Sequence, residues 1–590
     1  PATFPTTPKE SPRPPDAPRR EPPPFQPWNP GDIPDTAIAE FLGKKAMDEA
    51  RKIRRRGIVV DLRMPLPASP TPVALLPTCS VRFLVPGDLA YARCDCKQSE
   101  KCTHMALAVW AFRLVKGREE ERNEWTVEVR EEGAPAVVKQ SRPALEEAQS
   151  LARRLLLEGV VNARGSLGQS FAVVGQGLST AGFVWPKVIF EDLEESLEAY
   201  QARSARYRAG TVLASLAALA ARMRALQQEG ELPPRYLLGE GERLETALNK
   251  QKLVSLGARL EADGRRRIAS VMVADPASRI VLLMEKSWDF EEGVDLPEGP
   301  AMVNRSISSS VSLGRAARGI IQTIVATRTA NRRVRLGQNR QGSIDASPQT
   351  GDWSQFPPPI RVLSLAKLAE DWDARAPGVL RPPLLAENVH VLELAEIGDF
   401  SYDPAEQRLC ALATDAEGTE VLLTRTWRSV SPHALDHIAA ALRGDMGKVR
   451  FVSGELTRHL GQFELDILAI VADRVIVPDI EGDPVPPVAA GGYVHRSHAA
   501  VEQALLESCS ALEEAVHQGL KGLPTSFVQR LTAGAQALED VGMQATARRL
   551  RAFAEALRRA HAGRSAEWED AARCWENAAI RVLLAREAVG

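Results

Sequence analysis

Cysteine, tyrosine and net charge are all scarce in this sequence, and each shortage narrows what the chain can be. Seven cysteines in 590 residues are too few, and odd in number, for a disulfide framework. Cys79, Cys410, Cys509 and Cys574 stand singly in apolar surroundings, as thiols do in a reducing compartment. No run of 18 apolar residues occurs, so no transmembrane helix is expected. The first residues carry no basic-then-apolar leader. The chain opens on Pro1, which leaves a preceding leader open, and cytoplasmic residence is the expectation. Lys and Arg number 74 against 76 Asp and Glu, a net charge of −2. A whole-chain electrostatic case for nucleic acid therefore fails, and only local patches can make one.

Catalytic signatures are missing too. There is no G-x-x-x-x-G-K-[ST] sequence, no Gly-rich dinucleotide fingerprint and no H-E-x-x-H, so neither a helicase nor an ATPase is expected. His433 and His437 stand four apart on an expected helix and read as ordinary histidines, since no third ligand accompanies them. His495 and His498 sit in no catalytic setting. Asp466, Asp473 and Asp479 could bind magnesium, but strand alternation and turns explain them more simply. The chain is read as non-enzymatic.

What is present divides the chain, whose length suits roughly three to five domains. The fold class is multidomain α+β. Residues 1–34 form a proline-rich tail, "SPRPPDAPRREPPPFQPWNPGD", which cannot bury enough apolar area to order itself. Residues 35–117 form a small unit: a helix capped by Asp35 and ended by Gly57, short β-like runs ("GIVVDLRM", "PVALLP", "SVRFLV", "LAYARC"), then an apolar helix near 103–114. Residues 118–255 are mostly helical and 256–490 β-rich. Within the latter, "IASVMVADPASRIVLLMEKSW" (268–288) echoes "LCALATDAEGTEVLLTRTW" (409–427). A duplicated hairpin unit would produce this, and so would chance between two ordinary hairpins. Residues 491–590 carry four amphipathic stripes and are expected to form a separate C-terminal α-hairpin bundle.

The chemistry concentrates in "ARCDCKQSEKCTHMALAVWAF", residues 92–112. Cys94 and Cys96 are one residue apart, as are Cys102 and His104. Three thiols and an imidazole are the donors tetrahedral zinc prefers, and four protein donors close the shell, which marks a structural rather than a catalytic metal. Cys94 and Cys96 at a strand end share one face, and Cys102 and His104 stand at the mouth of a helix. Lys97 and Lys101 flank the site and offset thiolate charge. Cysteines buried merely as small hydrophobes fit poorly beside Asp95, Gln98, Ser99 and Glu100.

This arrangement resembles the SWIM zinc finger, C-x-C, a variable spacer, then C-x-H on a strand–strand–helix unit. The preceding "VRFLVPGDLAYARC" is similar to the family's lead-in hairpin, although the spacer is short. The resemblance covers roughly residues 35–117. It implies a zinc-stapled ββα module that binds DNA or protein and has no activity of its own. The helical tail is similar to that of bacterial SWIM proteins encoded beside MoxR-type ATPases and von Willebrand A proteins, which implies an AAA ATPase complex as partner.

Two basic patches are the other candidates. No acidic residue lies between Glu298 and Asp345, an interval holding Arg305, Arg315, Arg318, Arg328, Arg332, Arg333, Arg335 and Arg340. The helix end adds Lys44, Lys45, Arg51, Lys52, Arg54, Arg55 and Arg56. Arginine beside serine and free N–H groups suits phosphate. The competing expectation, placed first, is that these arginines pair with acidic faces such as "EDLEESLE" (191–198) or with a partner subunit. The favoured expectation is a zinc-binding adaptor for protein partners, with direct DNA or RNA binding second.

Overall fold

Gly43, at φ +78°, splits the first expected helix in two. The computed structural model describes residues 27–590 except 68, 77–78, 97–100, 119–121, 132–141, 164–165, 229–231, 241–242, 309, 337–343, 489–498 and 564. Helices α1 (Asp35–Leu42) and α2 (Lys44–Arg56) flank Gly43. Asp35 does not cap α1. Its carboxylate accepts hydrogen bonds from Trp110 Nε1 at 3.0 Å and Arg113 Nη1 at 2.7 Å.

Four short strands follow, β1 (Ile58–Arg63), β2 (Val73–Leu76), β3 (Cys79–Phe83) and β4 (Ala92–Cys94), then α3 (Thr103–Leu114) and β5 (Glu124–Val129). They form one antiparallel sheet in the order β4-β3-β2-β1-β5. The expected boundary at 117 is thus wrong. β5 pairs along all of β1, with Ile58 opposite Val129, Val60 opposite Val127 and Leu62 opposite Trp125. Those six side chains lie on one face, because strand side chains alternate, and that face packs on α3.

The tail reading needs a correction as well. Residues 1–26 lie outside the described residues, but 27–34 are docked on α3. Asn29 caps a short turn at Pro30–Asp32 and donates from its side chain to the Phe112 carbonyl at 3.3 Å. Trp28 meets Phe83 edge-on at 6.5 Å.

Four helices come next: α4 (Arg142–Glu158), α5 (Ser166–Thr180), α6 (Val184–Gln201) and α7 (Ala209–Ala225). Four more end the chain, at Ala500–Gln518, Phe527–Asp540, Gln544–Ala562 and Ser565–Val589. The C-terminal helices are not a separate bundle. They share one hydrophobic core with α4–α7, in which Phe171, Phe190 and Leu216 join Leu512, Phe553 and Trp575. The apolar stripes of the two sets complete one another, which period alone cannot reveal. Arg153 and Arg224 both grip buried Glu576, at 2.7 and 3.2 Å. At Gly159 and Gly519, both at φ +81°, the two segments cross so closely that a Cβ on either would lie 2.3 Å from the other's backbone.

The β-rich middle starts at Glu245, eleven residues before the expected start at 256, with β6 (Glu245–Asp263), β7 (Arg266–Asp275) and β8 (Ile280–Asp289). Strand 319–329 pairs with β6, and 334–336 pairs with 319–329. A parallel bridge from Leu283 to Arg333 closes this ring. A second ring has the same order. Segments 389–393 and 396–403 together act as its first strand, followed by 408–414 and 420–426, a helix at Ala434–Arg443, then 451–459 and 462–471. Strand 420–426 runs parallel to 462–471, and 451–459 pairs with 389–393, which completes the barrel. Both echoed hairpins are the second and third strands of their barrels. Each carries an aspartate that accepts from turn N–H groups: Asp275 from Ala277 at 3.0 Å, and Asp415 from Glu417 and Thr419 at 2.9 Å, the usual work of Asp in a turn. The barrels share a core. Gly257, at φ +115°, lets β6 pass the Leu468 carbonyl, which a Cβ would meet at 2.8 Å.

Candidate metal centre

Strand β4 delivers Cys94 into the sheet interior, opposite Val81. The chain then leaves the sheet edge, where Cys96 makes a single bridge to Leu248 of β6. The N–H groups at the start of α3 follow, with Cys102 as the N-cap residue, a position whose dipole favours a thiolate. Cys94, Cys96 and Cys102 are buried and His104 half-buried. One donor atom from each lies within 4.8 Å of all the others.

That spacing can be checked against coordination chemistry. Zinc–sulfur and zinc–nitrogen bonds of about 2.3 and 2.0 Å make a tetrahedron with edges of roughly 3.5–3.8 Å. Cys94 Sγ and His104 Nδ1 are 3.7 Å apart. The residues therefore fit a four-coordinate ion. Their protonation points the same way. Hydrogen bonds from Cys102 and Cys94 push the Cys96 thiol far down, while the crowded thiols and burial push Cys94 and Cys102 up. Burial opposes a charge on His104, but Cys102 and Cys96 outweigh it and lift its pKa to about 9. Three thiolates at this spacing need a cation among them.

The shell around the four donors is polar and buried. Asp95 accepts from the Ser80 N–H at 2.7 Å and the Ser80 hydroxyl at 2.8 Å. Cys79, fully buried beside Cys94 and Asp95, was missed by sequence reasoning, which saw a lone apolar thiol. It reaches the site only because β3 pairs with β4. Lys101 does not face the donors as expected. Its ammonium lies over the Phe41 ring at 4.9 Å. Lys97 lies outside the described residues.

The arginines offered for phosphate are scattered. Arg54 stacks on Trp110 at 4.9 Å, and Arg55 is exposed. The Arg56 side chain and Arg340 lie outside the described residues. Arg315 donates to the Ala346 carbonyl. Arg318 pairs with Glu481 at 2.9 Å and Arg335 with Glu245 at 3.2 Å. Arg328 is buried. Arg333 lies near enough to Asp192, in the acidic 191–198 face, to oppose the rise in that carboxyl's pKa to about 7, which burial and then Glu195 and Glu191 cause. Arg332 faces an internal cleft. Sequence proximity did not make one basic face, because β alternation and the barrel's curvature send successive side chains different ways.

The other candidates resolve simply. Asp466 and Asp479 pair with Arg425, and Asp466 also with Arg259 at 2.5 Å. His433 is exposed beside Asp436, whereas His437 is buried, so the two do not share a face. His495 and His498 lie outside the described residues. Among the described residues no helix is long and apolar enough to cross a membrane.

With fold and centre in hand, comparison with known proteins locates the likeness. A family model for the YehQ four-helical bundle domain matches residues 141–239, the α4–α7 segment. One for the YehQ C-terminal OB-fold domain matches residues 386–501, the second barrel. Protein YehQ of Escherichia coli (strain K12) is 28% identical over 489 residues, which is 80% of this chain and 78% of that protein.

Proposed function

We propose that Cys94, Cys96, Cys102 and His104 hold one structural zinc ion in a SWIM-type finger, and that the chain is a non-enzymatic adaptor docking protein partners, an AAA-type ATPase complex first among them. The observation behind this reading is the donor quartet, whose nitrogen and sulfur atoms lie within 4.8 Å of one another. Four such donors fill a tetrahedral shell and leave no position for a reacting water. The ion's work is to tie β4 to α3 and to hold the edge of the sheet against β6. The ATPase partner comes from the SWIM resemblance. Elemental analysis of the purified chain should find one zinc per molecule, and Cys96→Ser should remove it. A native chain free of transition metal refutes the zinc. Tagged protein recovered from its host with no ATPase in stoichiometric amount refutes the partner.

A second reading, nucleic-acid binding, draws on α2. Its sequence KKAMDEARKIRRR carries seven cations against two acids, and among the described side chains only Arg51 and Lys52 pair within the helix, with Asp48 and Glu49. Filter binding across a salt series separates the readings. A binder loses affinity with a log–log slope of about −0.9 per phosphate contacted, and an adaptor retains almost no nucleic acid.

A further inference from the structure

A deep cleft lies where four parts of the chain meet. The N-terminal sheet gives Asp61 and Glu124, the first barrel gives Arg332, the connection between the barrels gives Arg375, and the first strand of the second barrel gives His390; Tyr236, ahead of β6, completes the wall. The cleft holds a cavity of about 730 Å³ that opens to solvent, within the size range of small-ligand sites. Nothing assigned so far uses it.

Its charge is unbalanced. Seven guanidinium groups line it against four carboxylates. Two of the arginines bolt the walls together: Arg63 donates to the Ser278 carbonyl at 3.1 Å and pairs with Glu124 at 3.1 Å, and Arg279 donates to the Ser69 and Thr71 carbonyls. Arg332 has no such duty, because no described residue hydrogen-bonds its side chain. Its guanidinium is pushed down to about 10 by burial and by Arg63. Arg375 has a buried Nη1 without a partner. Both guanidiniums act on the same carboxylate, since Glu124 is held below its usual range, against burial, by Arg63, Arg375 and Arg332 together. Burial pushes Asp61 and Asp371 the other way, toward the neutral form.

The unmet polar groups extend into an adjoining chamber. It is lined by Arg328, Arg332, Trp185 and Tyr236. Trp185 is 3% exposed, and its indole N–H has no partner. Unpaired guanidinium and indole donors in a buried cleft are costly, and a compact multivalent anion is the chemistry that relieves them. Arginine's planar fork matches phosphate oxygens two at a time.

We propose that this cleft binds a small phosphorylated ligand, its phosphate or diphosphate held between Arg332 and Arg375 with the Trp185 side of the cleft receiving the rest. The site is internal and takes a small molecule, so it stands apart from the zinc centre and from any docking or nucleic-acid surface.

The test is calorimetric titration of the full chain with pyrophosphate, ADP and citrate, with melting curves alongside. Pyrophosphate and ADP should bind one per chain and raise the melting temperature, and citrate should bind at least about tenfold more weakly, a difference of about 1.4 kcal/mol. Arg332→Gln and Arg375→Gln should each weaken pyrophosphate binding by about tenfold or more. Arg332→Gln should melt no lower than the native chain without ligand, because it removes a half-buried guanidinium that makes no side-chain hydrogen bond to a described residue. That combination separates lost binding from lost folding. Failure of pyrophosphate and ADP to bind at about 1 mM, citrate binding as tightly as pyrophosphate, or full affinity in both variants would each overturn the proposal.

Discussion

Removing the carboxylate of Asp479 should be among the most damaging single changes in the two barrels. Asp479 is 1% exposed and Arg425 2%. Arg425 Nη2 donates to Asp479 Oδ1, and Asp479 Oδ2 accepts from the Leu260 N–H at 2.7 Å. One side chain therefore ties the second barrel to β6 of the first. Asp479→Ala takes from the buried guanidinium its fully buried carboxylate and leaves it Asp466 at 3.4 Å and the Ile467 carbonyl at 2.9 Å, which costs up to about 3–5 kcal/mol. It also orphans a buried backbone donor, at about 1–3 kcal/mol more. The expected loss is about 4–8 kcal/mol, a large part of the 5–15 kcal/mol that typically holds a domain together. For a unit this size each kcal/mol moves the midpoint by about 2–4 °C, so calorimetry should show the barrel transition falling by roughly 8–32 °C. Asp479→Asn, which can still accept from Leu260, should lose less. Arg425→Met combined with Asp479→Asn should recover most of the loss, because the unpaired charge is gone. A midpoint within about 2 °C of native for Asp479→Ala would refute the argument, since the pair would then not be buried as described.

Other outcomes follow from the same physics. Cys96→Ser should abolish zinc and increase hydrogen exchange at residues 92–107, while the 27–129 core keeps its sheet, since Val60, Leu62, Phe83 and Phe112 are buried independently of the ion; unchanged exchange would mean the metal supports nothing. Trp575→Ala removes a fully buried ring and should cost about 3–5 kcal/mol in urea unfolding, in the transition that contains α4–α7, because the two helical sets share one core. Burial pushes His390 down to about 4, against the hydrogen bond it makes to Pro359. Its unfolded value near 6.5 is higher, so the unfolded chain binds the extra proton between pH 6.5 and 4. Stability from this group is complete above pH 6.5 and falls by up to roughly 3 kcal/mol on acidification through that window. The difference between native and His390→Gln melting curves should show that slope, and a flat difference would place His390 in water.

The metal quartet was legible because its signal is local. Eleven residues carry all four donors, and a strand end followed by a helix start is enough to bring them together. Cys79 was not legible, because its nearness to Cys94 depends on strand pairing. The echo between 268–288 and 409–427 was visible as sequence, but that both hairpins fill the same place in two barrels of one strand order was not. The arginines misled for a related reason. A run of cations in sequence becomes a surface only if backbone geometry keeps its side chains together, and here Arg318, Arg328, Arg332 and Arg335 went to an ion pair, a core, a cleft and a strand edge.

The sequence by itself determined the local things: helices from apolar period, hairpins from Asp turns between β-branched runs, the break at Gly57, and a cluster of three thiols and an imidazole that could hold one metal ion. Tertiary structure alone decided that the first and last helical segments are one body, that β5 belongs to the N-terminal sheet, and that Arg332 and Arg375 share a cleft. Those outcomes depend on which apolar faces complete one another across hundreds of residues, and burial is blind to distance along the chain.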